Sequence, residues 1–314
     1  MGWIEEEEAR RKSEKITVSV IIPAYNETEG IGQVVSDLHR VLGAAPNISD
    51  FEILVIDDCS EDDTADRAKA AGARLLRHPS NVGYGKALLT GFAAAQYDYI
   101  LMIDGDGSYP PDGVKAVLAN GANFDMTIGA RKGSFFWCSP LRSLLRRIYL
   151  MMASFVAGYS IPDANSGLRL IRKEAIRNSM PVICLGYSFS TTMTLSFLQA
   201  GRFVRFFPIN YIARKGHSKV SMPRDIMRTM QIMTQVILHY NPLKFCVALA
   251  CIPTLMAVGF AVRFACNRAT LDLAMATVCL LSTLFVFLVG CHIDSQRIAA
   301  QMVARAWFRR SSRP

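Results

Sequence analysis

The stretch LMIDGDGSYPPD, residues 101–112, runs an apolar segment straight into two aspartates one residue apart, Asp104 and Asp106, and then into glycine, serine and proline. The apolar part reads as the end of a buried strand, and the Gly-rich part as a tight turn. Taken alone, an Asp-Gly turn is compatible with simple solvation. Its neighbours along the chain change its meaning.

Before it, ITVSVII (16–22), FEILVID (51–57), ARLLRH (73–78) and DYILMID (98–104) read as strands, separated by helix-length stretches at 31–42, 62–72 and 85–96. Strand, helix, strand at this spacing predicts a mainly parallel sheet with helices on both faces. In such sheets the ligand sits beyond the carboxyl ends of the strands. The segments found there are PAYNE (23–27), DDCSEDDT (57–64), NVGYGKA (81–87) and DGDGS (104–108). Each has a bland alternative: Ser60 with Asp63 three residues on reads as a helix cap, and NVGYG as a plain turn. Their succession at four strand ends predicts one polar rim. Neither G-x-G-x-x-G after the first strand nor G-x-x-x-x-G-K-[ST] occurs, which argues against a dehydrogenase-type dinucleotide site and a P-loop. Two carboxylates on a short turn suit Mg²⁺ or Mn²⁺ shared with a substrate diphosphate. Asp57 and Asp58 are placed to accept hydrogen bonds from a base and a ribose, and Tyr25 to pack on the base.

The chain has 314 residues and a formal net charge of +9, with a mean hydropathy of +0.22. The apolar excess lies in two uncharged runs, Phe245–Val262 and Leu273–Cys291. Each makes a helix roughly 27 Å long, close to the hydrocarbon thickness of a bilayer. The ten-residue link, 263–272, predicts a transmembrane hairpin with both flanks on one side. The charged start, 1–15, predicts no signal peptide, so the soluble part is expected in the cytoplasm. Arg297, Arg305, Arg309, Arg310 and Arg313 after the second run fit a cytoplasmic flank. Basic residues gathered beside membrane runs argue against nucleic acid as a partner. The eight cysteines show no ligand-type spacing and are expected to be reduced thiols. The stretch 222–242, apolar at Ile226, Met230, Met233, Ile237 and Tyr240, predicts an amphipathic interfacial helix. The apolar segment 140–158 predicts a membrane-facing helix.

PAYNE, DDCSEDDT, NVGYGKA and DGDG together resemble the nucleotide-sugar segments of family 2 glycosyltransferases. IGAR (128–131), DANSGLRLIRKEAI (163–176), ARKGHSK (213–219) and NPLKF (241–245) leading into two spans resemble the polyprenyl-phosphate, dolichol-phosphate mannose synthase-like group. The resemblance covers about residues 16–292. It implies the A-type glycosyltransferase fold, α/β with a Rossmann-like mainly parallel sheet, plus a C-terminal transmembrane hairpin. It also implies an integral membrane enzyme, with inverting transfer from a nucleotide-diphosphate sugar (GDP-mannose, UDP-glucose or similar) to a polyprenyl phosphate. The implied domains are a tail (1–15), a glycosyltransferase domain (16–221), an interfacial helix (222–242), the hairpin (243–293) and a basic tail (294–314).

By this resemblance Asp104 and Asp106 hold Mg²⁺ or Mn²⁺. Ser108 stands where many members of the group have Gln, and its shorter hydroxyl reaches a metal through a water. Pro23, Ala24, Tyr25, Glu27, Asp57, Asp58, Lys86, Asp104, Arg214 and Lys219 bind the donor. Arg131, Arg146, Arg147 and Arg169 meet the lipid phosphate, with Arg131 and Arg147 taking part in catalysis. The loop 213–219, with Gly216 as pivot, is expected to close over the diphosphate. A homo-oligomer and a separate flippase are compatible partners. The competing expectations are a membrane glycosyltransferase with a saccharide acceptor and a non-catalytic sugar-nucleotide-binding protein. Against the first, QMVARAW (301–307) has the wrong spacing for a Gln-x-x-Arg-Trp motif.

Overall fold

The computed structural model describes residues 15–133, 140–179, 189–213, 231 and 233–311. The chain divides into two compact units, Met1–Met233 and Thr234–Pro314.

The first unit is built on seven strands: β1 (Ile16–Ala24), β2 (Ile48–Asp57), β3 (Arg74–Arg77), β4 (Tyr99–Met102), β5 (Met126–Lys132), β6 (Arg169–Arg172) and β7 (Val204–Asn210), in the order β3-β2-β1-β4-β6-β5-β7. Neighbours pair in parallel except around β6, which runs antiparallel to both β4 and β5. The helices are α1 (Ile31–Gly43), α2 (Thr64–Ala70), α3 (Tyr84–Ala94), α4 (Pro111–Gly121), α5 (Pro140–Ala157), α6 (Lys173–Ser179) and α7 (Phe189–Gln199).

Successive strand residues point to opposite faces of a sheet, and here both faces are covered. Val20, Ile22, Val55, Leu101 and Ile103 pack in one core with Val35 and Leu38 of α1 and Val117 of α4. Ile21, Leu54, Ile56, Ile100 and Met102 pack in the other with Leu88 and Phe92 of α3 and Phe189 of α7. This two-sided burial explains why β1, β2 and β4 read as unbroken apolar runs. β6 went unread because RLIR is four residues long and begins with a buried arginine.

Ser60 is not a helix cap. Its hydroxyl accepts from the backbone N–H of Asn26 (2.9 Å), while α2 starts after Asp63, three residues further on than an N-cap at Ser60 would place it.

In the second unit, α8 (Pro242–Asn267) and α9 (Thr270–Ser311) form a hairpin. Asn241 caps α8 by accepting from the Lys244 N–H (3.1 Å), with Pro242 at the first helical position. Arg268 turns the chain in a left-handed conformation, φ 53°. Arg263 pairs with Asp272 across the turn (3.5 Å). Gly290 lets the helices touch, since a Cβ there would lie 2.5 Å from Cβ of Cys246. Pro242–Asn267 and Thr270–Ala299 are long and apolar enough to cross a membrane, with mean hydropathies of 2.3 and 2.4. Leu255, Leu271, Leu281 and Phe285 are each more than half exposed, which a soluble core helix would not tolerate. Helix α9 continues past residue 293 to Ser311, carrying Arg297, Arg305, Arg309 and Arg310.

Gly91 of α3 lies against β1, and a Cβ there would meet Cγ2 of Ile21 at 2.4 Å. Gly91→Val is expected to destabilise the first unit by about 1–3 kcal/mol through overpacking, despite the better helix propensity of valine. Thermal unfolding of the full chain in detergent checks this.

Candidate active site

The ends of β1, β2, β4 and β5 surround a cavity of about 440 Å³. Its lining includes Pro23, Ala24, Tyr25, Glu27, Asp58, Asp104, Asp106 and Arg131 from the sequence reading. Asn81, Gly83, Tyr84, Gly105, Asn165, Ser190 and Tyr211 join them.

The first two loops are stitched together. Asp58 N–H donates to the Ala24 carbonyl (2.8 Å). Asn26, at φ 51°, takes a left-handed conformation that asparagine tolerates. Its side-chain oxygen accepts from the Glu61 N–H (2.9 Å), and Glu27 N–H donates to the Thr64 hydroxyl (2.8 Å). The residue types in PAYNE and DDCSEDDT are therefore largely set by each other.

The Asp104–Gly105–Asp106 turn is fitted between two positions that have no room for a Cβ. At Gly30 a Cβ would lie 2.7 Å from the Gly105 carbonyl. At Gly167 it would lie 2.2 Å from Oδ2 of Asp104. The antiparallel strand β6 brings Gly167 there, because Arg169 pairs with Met102. Tyr84 donates its hydroxyl to Oδ1 of Asp104 (2.9 Å). Burial, and then the Asp104 carboxylate beside it, push the Tyr84 phenol well above its ordinary value, so it remains a neutral donor. Asp106 is 2 % exposed, and its Oδ1 accepts from both the Ser108 N–H (3.0 Å) and the Ser108 hydroxyl (2.6 Å).

Arg131, at the end of β5, is held by Asp163. Nε donates to Oδ2 (2.7 Å), an Nη to Oδ1 (3.0 Å) and the backbone N–H to Oδ2 (3.1 Å). The Tyr211 ring lies under the guanidinium, 5.3 Å from its centroid. Burial opposes the charge of both partners, but their mutual attraction outweighs it. The Arg131 pKa is raised and the Asp163 carboxyl lies below the usual carboxylate range.

Other expected residues lie elsewhere. Asp57 is buried off the cavity, accepting from the Ser60 N–H (3.0 Å) and pairing with Arg77 (3.1 Å). Ser108 is buried behind Asp106, so its hydroxyl orients that carboxylate and does not line the cavity. Arg169 is fully buried, with its guanidinium donating to the Ser166 and Ala164 carbonyls (2.8 and 2.9 Å) and the Thr194 hydroxyl (2.8 Å). It ties β6 to α7 and is not placed to meet a lipid phosphate. Burial lowers its pKa to about 10, leaving it charged at neutral pH. Lys86 is exposed on α3, and Arg146 and Arg147 lie on α5. None of the three lines the cavity. Arg214 and Lys219, with residues 214–219 of the loop and residues 222–230 and 232 of the expected interfacial helix, lie outside the described residues; of that helix, 233–240 is helical, with Met233, Val236 and Ile237 buried.

Tyr84, Asn165 and Tyr211 were missed as site residues. The first two sit inside NVGYG and DANSG, segments whose turn-forming residues give no sign of which side chain faces the cavity. Tyr211 follows β7, a strand the sequence reading did not find.

Because the Asp163 carboxyl lies low in the folded state, its pairing contributes stability above the unfolded value, about pH 3.9. That contribution is lost as pH falls through the lower folded value. The thermal midpoint of Asp163→Asn should fall below that of the unaltered chain by a constant amount above about pH 5, and the gap should narrow below about pH 4.

Residues 19–179 of the 314 match the family described as Glycosyl transferase family 2. The undecaprenyl-phosphate mannosyltransferase of Micrococcus luteus is 28 % identical over 218 residues, covering 65 % of this chain and 87 % of that protein. The polyprenol monophosphomannose synthase of Mycolicibacterium smegmatis is 32 % identical over 218 residues, covering 64 % and 80 %. Among solved structures, glucosyl-3-phosphoglycerate synthase of Mycobacterium tuberculosis with phosphoglyceric acid superposes with a TM-score of 0.57 at 23 % identity, covering 74 % of this chain and 84 % of that one. The same enzyme with Mn²⁺, UDP-glucose and phosphoglyceric acid gives 0.56 at 22 %, covering 74 % and 83 %. At such identity the likeness establishes the A-type fold. With just over half its length inside the family match, the chain belongs to glycosyltransferase family 2.

Proposed function

We propose that this glycosyltransferase moves a sugar from a nucleotide-diphosphate donor to a polyprenyl phosphate at the cytoplasmic face of a membrane, inverting the anomeric configuration. The observation that carries the proposal is the meeting of Asp104, Asp106 and Arg131 on one cavity of a chain that also has two apolar helices of bilayer length. The two mannosyltransferase relatives, named for polyprenyl acceptors, support the same acceptor class.

The described lining carries Glu27, Asp58, Asp104 and Asp106 against Arg131, whose charge is already met by Asp163. A donor diphosphate entering such a cavity meets net repulsion. Asp104 and Asp106 fit a hard divalent cation: both carboxylates reach the cavity, and a pair of oxygen ligands would leave the other positions to water and phosphate oxygens. Mg²⁺ or Mn²⁺ held by Asp104 and Asp106 would supply positive charge against the departing diphosphate. Tyr84 and Ser108 keep the two carboxylates oriented.

Tyr25 and Asp58, which line the cavity beside Asn81 and Gly83, would meet the base and the ribose. Arg131, braced by Asp163 and Tyr211 at the cavity wall, would meet an acceptor phosphate with its guanidinium. A phosphate monoester has a second pKa of about 6, so the acceptor is already anionic near neutral pH and needs no base to remove a proton. Its oxygen attacks the anomeric carbon opposite the nucleotide, so an α-linked donor gives a β-linked lipid product. Helix α5 presents Leu144, Ile148, Met151 and Phe155 at spacings of three and four, all exposed, an apolar stripe suited to a lipid surface.

Membranes containing the chain, given polyprenyl phosphate, Mn²⁺ and one radiolabelled sugar nucleotide at a time, should pass label into the organic phase from one donor. Asp106→Asn should reduce this at least about 100-fold while the protein stays folded. Organic-phase label at the original rate in that variant would refute the carboxylate role, and label passing only to water-soluble acceptors would refute the lipid acceptor.

Gly167→Ala tests the carboxylate pair differently. Its backbone suits alanine, but the new methyl must displace the Asp104 carboxylate. Mn²⁺ affinity, read by titration in the presence of a nucleoside diphosphate, is expected to fall about tenfold or more.

A further inference from the structure

We propose that His78 is a positioning residue of the donor subsite, acting through Asp58. The inference rests on the donor-binding reading above and assigns a function to a side chain outside the cavity lining.

His78 follows β3, and its backbone N–H donates to the Asp57 carbonyl (2.9 Å). The ring lies between two elements. Nδ1 is 2.7 Å from Oδ1 of Asp58, and Nε2 is 3.0 Å from the Thr90 hydroxyl on α3. Asp58 accepts from two backbone N–H groups of the next turn as well, so its contact with the ring is read as Nδ1–H donating to Oδ1. The Thr90 hydroxyl, able to donate or accept, anchors the far side of the ring at Nε2. The His78 and Asp58 side chains are 13 % and 5 % exposed, which leaves water little room to replace the ring.

Held this way, the Asp58 carboxylate organises the next turn. Oδ1 also accepts from the Val82 N–H (3.0 Å), and Oδ2 from the Gly83 N–H (2.7 Å). Gly83 stands at φ 94°, a conformation glycine adopts without strain, and leads directly into α3. Asp58, Asn81 and Gly83 all line the cavity. The first residue of α3 is Tyr84, the donor to Asp104. A continuous run of contacts therefore joins His78 to the donor-side wall and, one residue further, to the carboxylate pair. Without the ring, Asp58 loses one of its donors and the 81–83 turn loses its fixed anchor. The consequence falls mainly on donor affinity, because the reacting groups Asp104, Asp106 and Arg131 keep their own supports.

The test uses the full chain in phospholipid nanodiscs, titrated calorimetrically with GDP and with UDP in the presence of Mn²⁺. Three variants separate the two ring nitrogens. His78→Asn keeps an amide N–H near the position of Nδ1, His78→Gln reaches only towards Nε2, and His78→Ala removes both. For whichever nucleotide the unaltered chain binds, Gln and Ala are expected to weaken binding about tenfold, the scale of one lost hydrogen bond to a charged group. Asn should stay within about threefold of the original. In lipid-transfer assays KM for the donor should rise with kcat little changed, the pattern of lost uniform binding. Equal weakening by Asn, Gln and Ala, or affinity that follows the thermal midpoint across the three, would overturn the positioning role. Failure of the unaltered chain to bind either nucleotide would overturn the donor-binding reading itself, and the role of His78 with it.

Discussion

Everything in the catalytic unit turns on the close fit of the Asp104–Gly105–Asp106 turn against two Cβ-less positions. Gly30 lets the start of α1 approach the backbone of that turn, and Gly167 leaves room for the Asp104 carboxylate. One comes from the loop after β1, the other from the loop before β6, far apart in the chain. The sheet brings them together by placing β4 between β1 and β6. Two carboxylates this close repel each other, so they must be held by surrounding structure. Tyr84 supplies a neutral hydroxyl on one side and Ser108 a hydroxyl and a backbone N–H on the other. Moving the turn by the width of a methyl group would misplace both acids at once.

Much of this architecture was legible because burial on two faces writes unbroken apolar runs into β1, β2 and β4, and polar residues then mark the strand ends. The observed bounds of those strands differ from the reading by three residues or fewer. The second half of the sheet was not legible, for physical reasons. β5 is mixed in character and β7 is only partly buried, so neither gives a clean period. β6 carries arginines at both ends, one of them wholly buried and satisfied by carbonyls and a hydroxyl. A charged residue in a short segment reads as surface, and only the long-range partners show otherwise. The same blindness explains the arginines. Arg131 and Arg169 look alike in sequence, yet Asp163 and Tyr211 hold one at the cavity while Thr194 and two carbonyls keep the other inside.

Charge balance links the site to its proposed chemistry. Arginine beside a phosphate normally contributes a full positive charge. Here Asp163 meets that charge through a paired hydrogen bond, so Arg131 contributes geometry and directed N–H groups more than net potential. The remaining lining residues that ionise are acids or phenols. A cavity of this sign repels a bare diphosphate and suits one that arrives with a divalent cation, which the Asp104–Asp106 pair is arranged to share. In the proposed reaction the sign of the cavity would therefore favour a metal-bound donor before any contact with the sugar is considered.

A reaction between a water-soluble donor and a lipid acceptor also needs the site held at the interface between two phases. Two bilayer-length helices on the same chain would supply the tether, and the stripe from Leu144 to Phe155 would give the catalytic unit an apolar face of its own. A single anchor restrains distance but leaves a domain free to tilt, whereas an apolar stripe along a helix opposes tilt as well. Aliphatic and aromatic side chains exposed at successive helical turns make the kind of apolar patch that marks an interaction surface. The helix that carries the stripe is the next element after β5, and Arg131, the residue proposed to meet the acceptor phosphate, is the penultimate residue of β5. The segment that would touch lipid and the group that would hold the lipid's phosphate are thus neighbours along the chain, which is the economical arrangement for an enzyme that must draw its acceptor from a membrane.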